Sequence, residues 1–180
     1  MSNAPELDRS ASVPQTIATT KSATAPLWAT AIATFFGVGR LKPGPGTWGS
    51  AAAVLLWAAV SRSLPPNLRT GTALALAVLA AGVGIPAATR VSRSSGEKDP
   101  QKIVIDEVAG QLIALLGVPL AWKSFLTGFI LFRAFDIVKP PPVRQLEKLP
   151  EGVGIVLDDV AAGVCALVVM QLILHSGLLN

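Results

Sequence analysis

The chain has 180 residues, of which 51% are hydrophobic and only 14% are charged, and its formal net charge is +4. Soluble domains usually carry about 25% charged residues, so this composition indicates a lipid environment or an unusually apolar bundle. The single cysteine, Cys165, excludes an internal disulfide and a zinc site built on cysteines. It lies in an apolar run, where we interpret it as a small buried hydrophobe.

The first 26 residues are rich in Ser, Ala, Thr and Pro and contain no apolar core of the signal-peptide type. Segments of this composition bury too little apolar surface to fold on their own. We therefore predict a disordered N-terminal tail over 1–26, followed by a single helical domain over 27–180.

Apolar runs occupy most of that domain. They are too long for typical strands, and no Asn-Gly or Asp-Gly hairpin turn separates them. The sequence therefore predicts an all-α fold, a bundle of five to six apolar helices that is transmembrane and has short polar loops on one face. Most runs are shorter than the roughly 20 residues of a comfortable membrane span. The runs lie at 27–36, 50–60, 71–88, 107–122, 125–138 and 160–174.

The charged residues separate by side if the five runs from residue 50 onward each cross a bilayer. All basic residues except Arg62, Arg69 and Lys123 then fall on the side of the longer linkers. The acidic residues all fall on that same side or at helix ends that face it. Under the positive-inside rule this side is cytoplasmic. A polar face that merely orients the protein is the alternative to a functional explanation of this pattern.

A glycine-rich segment at 37–50 precedes the second apolar run. Its glycines allow a ligand close to the backbone, and the N–H groups of a helix start attract an anion such as phosphate. Thr47 or Ser50 is expected to cap that helix. A plain turn explains the glycines equally well, and the Gly-Lys-Ser/Thr ending of a P-loop is missing. The substrate-binding residues predicted in this segment are Arg40, Lys42, Gly46, Thr47, Gly49 and Ser50.

Paired acids are predicted at two helix starts. Capping would need only one acid at each start, and two adjacent acids at a membrane boundary are costly unless a cation neutralises them. A metal site made only of oxygen ligands suits Mg²⁺. The predicted metal ligands are Asp106, Glu107, Asp136, Asp158 and Asp159, and Asp99 is either a further site residue or a turn residue.

Arg133 and Asp136 lie three positions apart on a predicted helix and so share a face. They could form a structural ion pair and nothing more. Lys139 lies one turn beyond, before the prolines that end the helix. The predicted catalytic set is Asp106, Glu107, Arg133, Asp136 and Lys139.

Other catalytic chemistries lack their residues. The single histidine, His175, lies five residues from the C-terminus, far along the chain from the charged linkers. This excludes a histidine nucleophile and a Ser-His-Asp triad. Cys165 lies among Val, Ala and Leu, without the environment that activates a thiol. Carboxylate-bound metal acting on a phosphate is the chemistry that remains.

Four segments of the chain resemble the phosphatidylglycerophosphatase A family. They are Pro-Gly-Thr-Trp-Gly-Ser at 45–50, Val-Ile-Asp-Glu-Val-Ala-Gly at 104–110, Phe-Arg-Ala-Phe-Asp-Ile-Val-Lys-Pro at 132–140 and Gly-Val-Gly-Ile-Val-Leu-Asp-Asp-Val-Ala-Ala-Gly at 152–163. The resemblance runs from about residue 27 to 175 and has no counterpart for the tail.

The resemblance implies a magnesium-dependent phosphatase of the bacterial inner membrane that converts phosphatidylglycerophosphate to phosphatidylglycerol. The partner expected is a membrane phospholipid, and no nucleic acid is expected; the oligomeric state stays open. Two alternatives remain, namely a soluble or peripheral helical phosphohydrolase acting on another phosphate monoester, and a non-enzymatic, ion-coupled membrane protein.

Overall fold

The computed structural model describes residues 24–178, so the predicted disordered tail lies outside the described residues except for its last three positions. All regular structure in the described range is helical, which confirms the prediction of an all-α bundle. A 3-10 turn at Val38–Arg40 accompanies the α-helices. These are α1 (Leu27–Ala33), α2 (Pro45–Arg62), α3 (Pro66–Ser95), α4 (Ile105–Ala114), α5 (Trp122–Val138), α6 (Val143–Leu146) and α7 (Glu151–His175).

Helix α2 begins earlier than the sequence suggested. Pro45 occupies its first position, where the missing N–H of proline costs nothing, and Gly44 precedes it with a left-handed φ of 67°. The prediction that Thr47 or Ser50 caps this helix is wrong, because both lie inside it and Gly44 is the N-cap.

Helix α7 also begins earlier, at Glu151. The prediction that Asp158 and Asp159 open the last helix is therefore wrong. Both lie about two turns inside α7, at 3.6 residues per turn. Their placement depends on how α7 packs against its neighbours and not on the dipole at a helix start.

Helix α4 is much shorter than the apolar run at 107–122. Its ten residues span about 15 Å, roughly half the thickness of a bilayer's hydrocarbon core. The backbone beyond its end finds a partner within the bundle, since Gln171 Nε2 on α7 donates a hydrogen bond of 2.8 Å to the carbonyl oxygen of Leu116. This bond satisfies a backbone acceptor that α4 leaves without a partner beyond its C-terminal end.

Helix α4 lies at the centre and packs against α2, α3, α5 and α7. Its crossing with α7 is backbone against backbone. A Cβ on Gly163 would collide with the carbonyl of Gly110, and a Cβ on Gly110 would collide with the carbonyl of Asp159 and the ring of Phe132. Gly110 and Gly163 each follow an acidic residue of the predicted site by one turn, so this crossing brings those acids together.

Two helices, α3 and α7, are long and apolar enough to cross a membrane. Only 33% of the apolar window of α3 and 50% of that of α7 are buried in the protein. Large apolar side chains on their outer faces are exposed, including Leu74, Val78, Val168 and Leu172. The bundle therefore presents an apolar exterior along these helices.

Candidate active site

A cavity of about 310 Å³ lies where the first turns of α2 and α4, the end of α5 and the third turn of α7 meet. We call it the acidic cavity. Every residue of the predicted catalytic set and every predicted metal ligand lines it, together with one of the substrate-binding residues predicted in the glycine-rich segment. The predicted residues among its lining are Gly46, Asp99, Asp106, Glu107, Arg133, Asp136, Lys139, Asp158 and Asp159.

Three carboxylates converge inside the acidic cavity. Asp106, Glu107 and Asp159 each offer an oxygen, and these oxygens lie within 4.8 Å of one another. In the described part of the chain, Asp106 Oδ1, Glu107 Oε2 and Asp159 Oδ2 are buried and have no hydrogen-bond partner. Buried acceptors without donors are costly. One divalent cation would satisfy all three, and an all-oxygen set is what Mg²⁺ prefers.

Burial changes the proton affinity of this cluster. It raises the pKa of Asp106 to about 7, against the opposing effect of a hydrogen bond from Glu107 and with support from the negative charges of Asp99 and Asp158. Burial also raises the pKa of Asp99, which lines the same cavity. A bound cation acts in the opposite sense and favours the ionised carboxylates.

Arg133 lies beside the cluster on α5. Its Nη1 donates a short hydrogen bond to Asp136 Oδ2 and lies 3.9 Å from Glu107 Oε1. The expected ion pair with Asp136 therefore forms. The buried Nε of Arg133 has no partner within residues 24–178. A donor thus remains in the guanidinium group for an anion that enters the cavity.

Lys139 follows the last residue of α5 and reaches toward α7. Its Nζ lies 2.6 Å from Asp158 Oδ2 and 4.0 Å from Glu147 Oε1. Burial favours the neutral amine, but the hydrogen bond and the charge of Asp158 hold the pKa of Lys139 above its usual value. Lys139 is therefore a fixed positive charge at the cavity wall.

The five predicted metal ligands divide into two groups. Asp106, Glu107 and Asp159 meet with free oxygens, as described above. Asp136 is bound to Arg133, and Asp158 accepts hydrogen bonds from Lys139 Nζ and from the backbone N–H of Asp159. Both carboxylates line the cavity, but each is hydrogen-bonded to a cation. Their geometry therefore suits the positioning of Arg133 and Lys139 better than the binding of a metal ion.

The glycine-rich segment contributes less than predicted. Gly46 lines the acidic cavity, and a Cβ there would collide with Glu107 Oε1. Thr47 is exposed, Gly49 packs against Val104, and Ser50 is fully buried with its Oγ donating to the carbonyl of Gly46 at 2.9 Å. None of these last three lines the cavity.

Arg40 and Lys42 lie outside the acidic cavity and line a second cavity next to it. Sequence reasoning did not single out Gln101 or Pro45, which line both cavities. The signal for Gln101 was its place in the polar linker just before the paired acids of α4. The signal for Pro45 was its place as the first residue of the motif at 45–50, of which only later residues were predicted to bind substrate.

Comparison with known proteins bears directly on this site. A model of the family described as phosphatidylglycerophosphatase A matches residues 31–174, which include every residue of the acidic cavity. The chain belongs to that family. It is accordingly a phosphatase, and the non-enzymatic alternative is excluded. No solved structure matches this family member.

Three curated relatives of this phosphatase cover most of its length. A Bacteroides thetaiotaomicron protein named putative phosphatidylinositol-3-phosphatase is 42% identical over 77% of this chain and 89% of its own. A Haemophilus influenzae phosphatidylglycerophosphatase A is 38% identical over 77% of this chain and 84% of its own. The Escherichia coli phosphatidylglycerophosphatase A is 32% identical over 80% and 82%, respectively.

Proposed function

We propose that this enzyme is a magnesium-dependent phosphatase that hydrolyses phosphatidylglycerophosphate to phosphatidylglycerol and phosphate at the bacterial inner membrane. The observation that carries the proposal is a set of three carboxylates, each with a buried oxygen that has no hydrogen-bond partner among the described residues, beside Arg133 and Lys139 in one cavity. The names of two relatives supply the substrate.

Each side chain has a role in this proposal. Asp106, Glu107 and Asp159 would hold Mg²⁺, which when bound supplies Lewis-acid polarisation of the phosphoryl oxygens. Arg133 and Lys139 bind the phosphate and stabilise the negative charge of the transition state.

The two remaining acids act through these cations. Asp136 orients Arg133 and Asp158 orients Lys139, since each carboxylate is hydrogen-bonded to its cation. Gly46 leaves space beside Glu107 for the phosphate. One of the cluster's carboxylates orients the attacking water and accepts its proton.

The exterior of the bundle supports a membrane location. Monomeric soluble proteins rarely expose large continuous apolar patches, whereas most of the apolar window of α3 and half of that of α7 are not buried within the protein. In this proposal α3 and α7 cross the bilayer. The acidic cavity lies at the end of the bundle where the basic linkers gather, which the positive-inside rule assigns to the cytoplasm.

The test is phosphate release by the purified full chain in detergent. We expect release from phosphatidylglycerophosphate with Mg²⁺ and none with EDTA, and little release from a water-soluble ester. The variant Asp159→Asn should be inactive. Glu151→Gln removes an exposed carboxylate that pairs with Arg93 outside the cavity, and it should retain full activity. Release that persists in EDTA, or no release from this lipid, would refute the proposal.

A second substrate deserves a place in the same assay. The Bacteroides relative is named for phosphatidylinositol 3-phosphate, which also carries a phosphomonoester on a lipid head group. If kcat/KM is higher with that lipid than with phosphatidylglycerophosphate, that lipid is the preferred substrate of the proposed reaction. Extraction of the enzyme from membranes by carbonate without detergent would favour the peripheral alternative.

A further inference from the structure

A second cavity of about 670 Å³ adjoins the acidic cavity. We call it the cationic cavity, after the Arg40, Lys42 and Lys102 side chains that line it. The two cavities share Pro45 and Gln101, and also Asp99, in their linings. They are therefore contiguous, and a ligand longer than a phosphate group can extend from one into the other.

The three cations of this cavity differ from those of the acidic cavity. Arg133 and Lys139 are each paired with carboxylates, and Arg93 at the surface is paired with Glu151. Throughout residues 24–178, no carboxylate oxygen lies within 4.0 Å of the charged groups of Arg40, Lys42 or Lys102. The lining also contains Glu97 and Asp99, so positive charge exceeds negative charge by one.

The backbone holds two of these cations in fixed relation. A Cβ on Gly39 would collide with the carbonyl of Lys102, so the 3-10 turn that carries Arg40 lies directly against the linker that carries Lys102. The backbone N–H of Val104 also donates to the carbonyl of Ala33 at 2.8 Å. Because these backbone segments are already held together, an anion that binds both side chains orders less of the chain, and binding costs less conformational entropy.

The cationic cavity also adjoins an apolar surface through Arg40. Arg40 also lines a smaller surface cavity of about 370 Å³ formed with α1. Leu27 and Phe36 line that cavity and are 89% and 82% exposed. Carboxylates, cations and exposed apolar side chains thus follow one another in the order in which a phosphorylated lipid head group presents its own parts.

We propose that the cationic cavity binds the phosphodiester of the substrate's head group while the phosphomonoester lies in the acidic cavity. This inference rests on the proposed function and adds head-group selectivity to it. A lipid such as phosphatidylglycerophosphate carries both phosphates on a glycerol spacer. Phosphatidic acid carries a single phosphate directly on its diacylglycerol and cannot occupy both cavities. The enzyme therefore selects lipids that have the second phosphate.

The test compares two lipids with two double variants of the full chain in mixed micelles. Arg40→Gln/Lys102→Gln removes two cations of the cavity. Arg144→Gln/Lys148→Gln removes two exposed cations from the α6 region, which line neither cavity, and is the matched control. Steady-state kinetics are measured with phosphatidylglycerophosphate and phosphatidic acid, each with and without added phosphatidylglycerol, and thermal unfolding checks that both variants fold.

We expect the cavity variant to raise KM for phosphatidylglycerophosphate by about 3–10-fold, with kcat within about twofold, since two exposed charge contacts of about 0.3–0.7 kcal/mol each amount to that factor. Its kinetics with phosphatidic acid, and those of the control variant with both lipids, should match wild type. An unchanged KM for phosphatidylglycerophosphate overturns the inference, as does an equal loss with both lipids.

Three further outcomes also count against the inference. A KM increase of the same size in the control variant would show general attraction to the micelle surface. A loss seen only with added phosphatidylglycerol would assign the cavity to a neighbouring lipid. Equal kcat/KM of wild type for both lipids would remove the selectivity. If wild type releases no phosphate from either lipid, the proposed function fails first and the inference fails with it.

Discussion

Replacing Asp159 with Asn separates the proposed metal-binding role of the carboxylate cluster from a structural one. The carboxylate oxygens of the cluster lie no more than 4.8 Å apart, and two ionised carboxylates at that separation repel by about 3.5 kcal/mol at an effective dielectric constant of about 20. Protonation relieves part of this repulsion, so we expect the variant to gain about 1–2 kcal/mol in free energy of unfolding without Mg²⁺. Asp159 Oδ2 has no hydrogen-bond partner to lose. The expected increase in Tm is about 2–8 °C.

The same substitution should abolish the response to the cation. Wild type in detergent should unfold at a higher temperature when Mg²⁺ is added, because a ligand that binds only the folded state stabilises it. Asp159→Asn should show little Mg²⁺-dependent change in Tm, and its rate of phosphate release should fall by about a hundredfold or more. Differential scanning fluorimetry with and without Mg²⁺ measures the Tm of wild type and of the variant and the change in each when Mg²⁺ is added. A variant that unfolds at or below the wild-type temperature and keeps the Mg²⁺ response would refute the reasoning.

Three further substitutions or conditions test other parts of the structure. Gly46→Ala places a methyl group against Glu107 Oε1 and should lower phosphate release at least about tenfold. The control is Gly71→Ala, where an added methyl group has no other atom within 4 Å. This variant should retain activity and gain up to about 1 kcal/mol in stability. Gly163→Ala pushes α7 away from the carbonyl of Gly110; chemical denaturation should show a loss of about 1–3 kcal/mol, and an unchanged midpoint would contradict the tight crossing. Because burial raises the pKa of Asp106 to about 7, its protonated form stabilises the metal-free fold, so Tm without Mg²⁺ should fall as the pH rises from about 4 to about 7, and a Tm that rises over this range would contradict the assignment.

Much of the fold and of the site followed from local patterns. Long Ala-, Leu- and Val-rich runs predict helices whatever their environment, and each of the six runs overlaps a helix, although α4 covers only the first half of the run at 107–122. The Arg133–Asp136 pair follows from their spacing of three on one helix, which is a local property. The acids at 106 and 107 lie in the first turn of α4 as predicted, since their run begins beside them.

The incorrect predictions concern residues whose placement depends on tertiary packing. Glu151 to Leu157 contain two glycines among four apolar residues, which gave no clear helix signal, yet this segment forms the start of α7 because Gly152 and Gly154 fit closely against neighbouring backbone carbonyls. Ser50 was predicted to bind substrate from its place at the end of a glycine-rich motif. It is fully buried instead, because the helix starts five residues earlier and turns its side chain inward.

The division of the five predicted metal ligands also needed the structure. Asp158 and Asp159 are adjacent in sequence and looked equivalent. Adjacent helical residues point about 100° apart, so Asp159 faces α4 and the carboxylate cluster while Asp158 faces Lys139. Which of the two faces which neighbour depends on the rotation of α7 about its axis, and no local pattern specifies that angle.

If α3 and α7 cross the bilayer as proposed, the glycine crossing of α4 and α7 isolates the carboxylate cluster from changes in the bilayer. Main-chain atoms, not lipid-facing side chains, set the separation between Asp106 and Asp159, because Gly110 and Gly163 touch one turn below them. In the proposed membrane location, variation in acyl-chain length or membrane thickness would act on the outer surfaces of α3 and α7 and would have little effect on that contact. Adaptation to a new lipid composition would therefore alter how substrate is captured while leaving the turnover step largely untouched.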